Sequence, residues 1–157
     1  MTNTAHFGEK EASGLDIRVF TGVDSIHFQH AMSIRTEVFV DEQKVPIEME
    51  HDEFDSCSTH IIILDDQSPI AAGRVYRHDD VVHMGRICVK KSRRGEGLGL
   101  RVMGKLISEG VELGPEIVLH AQVHSIPFYA KLGFVAEGDV FIEAGIDHVI
   151  MKYSETQ

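Results

Sequence analysis

Between Val89 and Leu100 the chain reads Lys90-Lys91-Ser92-Arg93-Arg94-Gly95-Glu96-Gly97-Leu98-Gly99-Leu100. Glycines at 95, 97 and 99 remove side chains where the backbone turns into a helix, which leaves a row of N–H groups free to face an anion. The dipole of that helix adds to their pull, and Arg93 and Arg94 supply point charges beside the loop, so the segment can hold a pyrophosphate. Two common phosphate loops do not fit. A Walker loop needs GxxxxGK[ST], and no Lys-Ser or Lys-Thr follows these glycines. A dinucleotide fold needs GxGxxG after the first strand of a parallel βαβ series, whereas the spacing here is GxGxG after an antiparallel meander. The reading that needs no ligand is that the glycines only permit tight packing of strand against helix.

The elements that must position this loop follow from the hydrophobic pattern. Leu15 to Phe20 alternates as a half-buried strand and ends at Thr21-Gly22. Asp24 stands as an N-cap before a helical stripe of Phe28, Ala31, Met32, Arg35, Val38 and Phe39. His60 to Leu64, Ile70 to Tyr76 and Val81 to Val89 form an antiparallel meander, with Asp65 to Pro69 and His78-Asp79-Asp80 as its turns. The glycine turn then opens a helix marked by Leu100, Met103, Leu106, Ile107 and Val111 and stopped at Gly114-Pro115. Glu116 to Ala121 returns as a strand, completing a strand–helix–strand crossover. A short helix, Ser125 to Lys131, precedes two last strands, about Phe134 to Ile142 and His148 to Lys152. The pattern predicts one mixed α/β (α+β) domain over residues 15–157, with a six- or seven-stranded sheet, behind a loose polar tail at 1–14.

Composition excludes several classes. At 157 residues and 43% hydrophobic, the chain can build a full core without metal or disulfide staples. Its longest apolar run, Ile61 to Leu64, is far too short to cross a bilayer, and Met1 to Lys10 has no signal pattern, so a cytoplasmic protein that does not act at a membrane is expected. A net charge of −10 argues against nucleic acid and favours cationic ligands. The ten histidines lack metal-ligand spacing, so no metal is expected, and Cys57 and Cys88 are read as free thiols.

Arg35 on an otherwise apolar stripe must find a carboxylate inside the fold or contact a substrate, because an unpaired buried guanidinium is costly. The acidic run Glu48, Glu50, Asp52, Glu53 and Asp55 is either a solvated loop or a negative lip that holds a protonated amine.

Taken together, the residues carry a family resemblance. Arg94-Gly95-Glu96-Gly97-Leu98-Gly99 resembles the R/Q-x-x-G-x-G/A signature of the GNAT superfamily of acyl-CoA-dependent acyltransferases, after a strand at Ile87-Cys88-Val89. His120 to Phe134, with Phe128-Tyr129 and Gly133-Phe134, is similar to the strand and helix that complete the family's cofactor cleft. Arg35 to Gln43 and Glu143 to His148 look like its ElaA/YjcF-like branch, and the resemblance spans about residues 15 to 153. It implies a central, mostly antiparallel sheet flanked by about four helices, acetyl-CoA as co-substrate, and a homodimer as a common assembly. It also implies that Arg94, Gly95, Glu96, Gly97, Leu98, Gly99 and Leu100 bind the CoA pyrophosphate through backbone amides. Ile87, Cys88 and Val89 would face the pantetheine arm and offer an N–H to the thioester oxygen, with Gln122 and Phe128 also lining the cofactor.

The chemistry that the resemblance implies is direct N-acetyl transfer to a primary amine, small molecule or peptide. Attack on a thioester builds negative charge on the carbonyl oxygen, where a fixed N–H contributes most. CoA leaves as a thiolate, and Tyr129 is the expected proton donor. The attacking ammonium must lose a proton, with Glu42, His60 and His148 as candidate bases. Glu42, His148 and Arg35 are the candidate acceptor contacts. Cys88, in apolar strand company, is not expected to form an acyl-enzyme. Two other readings remain open: an acyl-homoserine-lactone-synthase-like enzyme, which the Arg-x-x-Val-Phe-Val stretch at 35–40 is similar to, and a non-catalytic acyl-CoA-binding module.

Overall fold

A computed structural model describes residues 7–10 and 14–154. The chain runs β1 (Phe7–Lys10), β2 (Leu15–Thr21), α1 (Ile26–Arg35), a π-helical turn (Thr36–Glu42), α2 (Ile47–Glu50), a 3-10 turn (Glu53–Cys57), β3 (Thr59–Asp65), β4 (Ser68–His78) and β5 (Val81–Val89). It continues through α3 (Leu98–Leu113), β6 (Ile117–Gln122), α4 (Ile126–Ala130), β7 (Phe134–Glu143) and β8 (Ile146–Tyr153). The strands form one sheet in the order β1-β2-β3-β4-β5-β6-β8-β7. Every pairing is antiparallel except β5 with β6, the parallel pair that α3 connects.

The β-branched run Ile61-Ile62-Ile63 makes β3 a central strand, and all three side chains are fully buried between the two layers. On one face Ile62 packs with Phe28, Ala31 and Ile34 of α1. On the other, Ile61 and Ile63 join Val102, Met103 and Leu106, whose three- and four-residue spacing gives α3 its apolar stripe. Gly73 of β4 sets how close α3 can come: a Cβ there would lie 2.7 Å from Val102 and 2.8 Å from Leu106. Any side chain at this position would push the helix off the sheet.

The feature that positions the site is a splay. β5 and β6 pair only through Val82–Met84 and Ile117–Leu119, while β5 runs on to Val89 and β6 runs on to Gln122 against β8. Beyond Met84 the two parallel strands separate and a cleft opens between them.

The pattern-based expectations hold for the mixed α/β architecture, the meander and the crossover, with three differences. Phe7–Lys10 lies within the expected loose tail but pairs with Asp16–Val19 as an eighth, edge strand; such a strand needs only backbone partners, so its polar composition concealed it. The expected tail residues 1–6 and 11–13 and the terminal 155–157 lie outside the described residues. Ser25, not Asp24, caps α1, its side chain accepting from the Phe28 N–H. The helix expected to reach Phe39 ends at Arg35 and widens into the π-helical turn, which carries Glu42 to the cleft. Among the described residues no helix is long and apolar enough to cross a membrane.

Candidate active site

The cleft has a volume of about 820 Å³ and gathers residues from the π-helical turn, β4, β5, β6, α4 and the β7–β8 hairpin. Arg94 and Gly99 of the glycine turn line it. Gly95 (φ +88°) and Gly97 (φ +81°) are left-handed, and a Cβ at either would meet nothing within 4 Å, so it is backbone conformation and not crowding that asks for glycine. Gly97 caps α3. Among the described residues, the N–H groups from Gly95 to Leu100 have no backbone acceptor, which leaves the donor row the sequence implied at the positive end of a 16-residue helix. Gly99 lets Phe128 approach: its Cβ would lie 3.4 Å from that ring.

The side chains around the turn divide by direction. Leu98 is buried in the core and Leu100 is exposed, so only their backbone can serve the cleft. Glu96 accepts from Arg93, whose other bond goes to Asp65 at 2.7 Å, and neither Arg93 nor Glu96 lines the cleft. Arg94 does line it, held by two 2.7 Å bonds to Glu42 and one from Nε to the Val89 carbonyl. Of the two arginines expected to face an anion, Arg94 is the one so placed.

At the splay, Ile87, Cys88 and Val89 of β5 line the cleft together with Phe128 and Tyr129 of α4. Burial pushes the Cys88 thiol up to about 12, so at neutral pH it stays protonated. Burial likewise pushes the Tyr129 phenol up to about 12, and its hydroxyl has no hydrogen-bond partner among the described residues. The ring itself is fixed edge-on between Phe128 and Phe134. Gln122 of β6 crosses the cleft to Gln43, Nε2 donating to Oε1 at 2.9 Å.

The three candidate bases separate. Glu42 lines the cleft, but its bonds to Arg94 hold its carboxyl below the usual range, which makes it a weak base in this arrangement. His148 lines the cleft from β8, nine-tenths buried, with Nδ1 2.7 Å from the Ile146 carbonyl. That oxygen can only accept, so Nδ1 carries the hydrogen and Nε2 of the neutral ring keeps its lone pair. His60 is a correction. It is 1% exposed, is absent from the cleft wall, bonds through Nε2 to the Asp55 carbonyl at 3.0 Å and stacks on Phe20.

His60 has a measurable role in stability instead. Burial lowers its pKa from the ordinary 6.5 to about 4, so between those values the unfolded chain binds a proton that the folded chain refuses. Stability therefore falls as pH drops through that window, by up to roughly 3 kcal/mol at its acid end. Chemical denaturation at pH 7, 5.5 and 4.5 should show this loss, and His60→Gln should flatten it; an unchanged slope in the variant would assign the loss to other groups.

Arg35 is the second correction. Sequence left it as an internal pair or a substrate contact, and the internal pair is what forms: the guanidinium is 1% exposed, bonded to Glu50 and Asp55, and does not line the cleft. The acidic run is also not a free lip. Glu50, Asp52 and Asp55 are tied to Arg35, Arg74 and Arg86, and only Glu48 and Glu53 face outward. Among the described residues no group of three or more His, Cys, Asp or Glu could hold a metal ion.

Two wall residues had no role in the sequence reading. Glu143 and His120 meet at 2.8 Å opposite His148. The signal for Glu143 was the hairpin itself: pairing of residue 143 with 146 and 141 with 148 folds its carboxylate back beside the imidazole.

The comparisons with known proteins agree with this geometry. Residues 12–155 match the family model described as an acetyltransferase (GNAT) domain. A protein of Bacillus subtilis (strain 168) named "Uncharacterized N-acetyltransferase YjcF" is 40% identical over 125 residues, covering 77% of this chain and 88% of the relative. Among solved structures, an acyl-CoA N-acyltransferase from Pseudomonas aeruginosa superposes with a TM-score of 0.80 at 31% identity, over 89% of this chain and 99% of that one. Escherichia coli ElaA superposes with the same TM-score of 0.80 at 26% identity and the same coverages, 89% and 99%. The chain belongs to the GNAT acetyltransferase family, and it is an acyltransferase.

Proposed function

We propose that the protein is an acetyl-CoA-dependent N-acetyltransferase that acts on a primary amine, small molecule or peptide, by direct attack. The observation that carries the reading is Tyr129: a protonated phenol with no hydrogen-bond partner among the described residues, in a cleft that Ile87, Val89, Arg94 and Gly99 also line.

The residues present fit the co-substrate. The donor row from Gly95 to Leu100, with Arg94 beside it, is suited to the linked phosphates, and Gln122 and the β5 edge are suited to the amides of the arm. When bound, acetyl-CoA supplies an acyl group activated as a thioester and a thiolate as leaving group. Ile87 to Val89 line the cleft, and a backbone N–H from this stretch would stabilise charge on the carbonyl oxygen. His148 Nε2 takes one proton from the acceptor's ammonium, and the freed lone pair forms the new N–C bond. As the C–S bond breaks, Tyr129 donates to the sulfur, and the nitrogen's second proton, made acidic by the new bond, returns to the phenolate. The net products are the amide, the free thiol and the proton on His148.

The test has two parts. Calorimetry with acetyl-CoA on folded protein should give a saturable heat. Thiol release should then follow with at least one member of a mixed panel of polyamines, amino sugars, aminoglycosides and peptides. No heat of mixing would remove the reading altogether, and binding without turnover would favour a non-catalytic acyl-CoA-binding module.

A further inference from the structure

We propose that Glu143 and His148 together form the docking point for the acceptor's ammonium, with Glu143 the residue that selects a cationic acceptor; the inference rests on the N-acetyltransferase reading above.

The carboxylates on the cleft wall are not equivalent. Glu42 is bonded to Arg94, Glu50 to Arg35, and Asp52 to Arg74 and Arg86, so each is neutralised by a permanent cation. Glu143 has no Lys or Arg within ion-pair distance among the described residues; its partners are His120 and His148. It is the wall carboxylate that no guanidinium or ammonium neutralises among the described residues. The hydrogen bond with His120, working against partial burial, keeps its carboxyl below the usual range, so it stays ionised at neutral pH. His83 also stands near His120.

Geometry then assigns the ligand atom. His120 Nδ1 engages Glu143 Oε1 at 2.8 Å, which leaves Oε2 facing the cleft, 4.0 Å from His148 Nε2. That gap is too wide for a direct hydrogen bond and fits one donor between two acceptors. A nitrogen about 2.8 Å from each atom would subtend an angle of about 90°, close to the tetrahedral spread of N–H bonds on a primary ammonium. An alcohol has one hydrogen and no charge, and cannot satisfy both acceptors. The Phe141 ring stacks on His148 with centroids 5.9 Å apart and helps keep water from the imidazole. In the step itself one N–H bond breaks, the proton joins His148 Nε2, and the pair stays on nitrogen. The imidazolium so formed sits beside the Glu143 carboxylate, which stabilises it.

Steady-state kinetics of Glu143→Gln test this. The acceptor is the fastest from a panel of cadaverine, spermidine, glucosamine, phenethylamine and a peptide with a free N-terminus. The expected result is a rise of about 10-fold or more in the acceptor KM, with the acetyl-CoA KM within about twofold of wild type. Glu143→Asp, which keeps the charge, should restore part of the loss. An acceptor KM within twofold of wild type in Glu143→Gln would overturn the docking point and leave the acetyltransferase reading standing. A wild-type protein that binds acetyl-CoA but acetylates nothing in the panel would overturn the reading, and the docking point with it.

Discussion

Arg35→Met is expected to destabilise the protein by about 3–5 kcal/mol, because it removes one partner from a buried ionic network and strands the others. Arg35 donates to Glu50 Oε2 at 2.5 Å, to both Asp55 oxygens at 2.8 and 3.1 Å, and to the Glu50 carbonyl at 2.9 Å. Asp55 is fully buried and Glu50 is 2% exposed, so neither carboxylate can turn to water when the guanidinium is gone. Arg74 retains its 2.8 Å bond to Asp55, and Arg86 stays 3.6 Å from Glu50 Oε2, which limits the damage at both carboxylates without replacing the lost hydrogen bonds. For a domain of this length the cost corresponds to a fall in Tm of roughly 10 °C, read by thermal unfolding at pH 7. Arg35→Lys should fall between, since an ammonium keeps the charge but cannot fork to two carboxylates. A loss under about 1 kcal/mol would mean that the segment relaxes to admit water, and that the network does not hold it.

The same network links stability to the site. Glu50, Asp52 and Asp55 lie on the segment between α1 and β3, and Arg86 reaches from β5 to the Met49 and Glu50 carbonyls and to Asp52. Arg86 does this from a left-handed conformation (φ +53°) beside the β4/β5 register shift, the stretch from which β5 departs toward the cleft. The ions therefore clamp one wall of the cleft to the strand that carries Ile87 to Val89. Arg35 and Arg86 meet at Glu50, both donating to its carbonyl, so loosening the first should also disturb the cleft wall.

How far the sequence carried this depends on where the controlling contact lies. The period-2 and period-3.6 patterns expose strands and helices directly, and Arg35 announced itself by interrupting a stripe. Its partners lay 15 and 20 residues away in a run of acids, so the kind of partner was legible and the choice between pairing and substrate contact was not. The glycine turn was legible because a left-handed φ leaves a residue-type signature. His60 misled because a histidine before a buried strand has the same composition whether it faces a cleft or a backbone carbonyl. Its fate was decided by the 3-10 turn that brings the Asp55 carbonyl to its ring. Glu42 with Arg94, 52 residues apart, and Glu143 with His120, 23 apart, depend on tertiary approach alone. No local pattern encodes such pairs.

Tyr129→Phe is expected to lower kcat by about 100-fold, near the bottom of the 10²–10⁴ range for loss of a general acid, with the acetyl-CoA KM nearly unchanged. The low end follows from the environment. A phenol raised to about 12 is a poor match for a thiol that titrates near ~8.5, so complete proton transfer to the departing sulfur is uphill by itself. The phenol can act only by donating a strong hydrogen bond as the C–S bond lengthens, with the proton moving as the nitrogen's second proton replaces it. Two consequences distinguish this from a structural role. The phenyl ring of the variant keeps the edge-on packing against Phe128 and Phe134, and the hydroxyl has no protein partner to lose, so Tm should stay within a degree or two. An acetyl thioester with a more acidic thiol should also recover much of the lost rate, since a better leaving group needs less help. Cys88→Ala provides the contrast: its thiol stays protonated and buried, so kcat should change by less than about twofold, beyond any cost of the small cavity. If Cys88→Ala were the slow variant and Tyr129→Phe the fast one, direct transfer would give way to an acyl-enzyme on the strand.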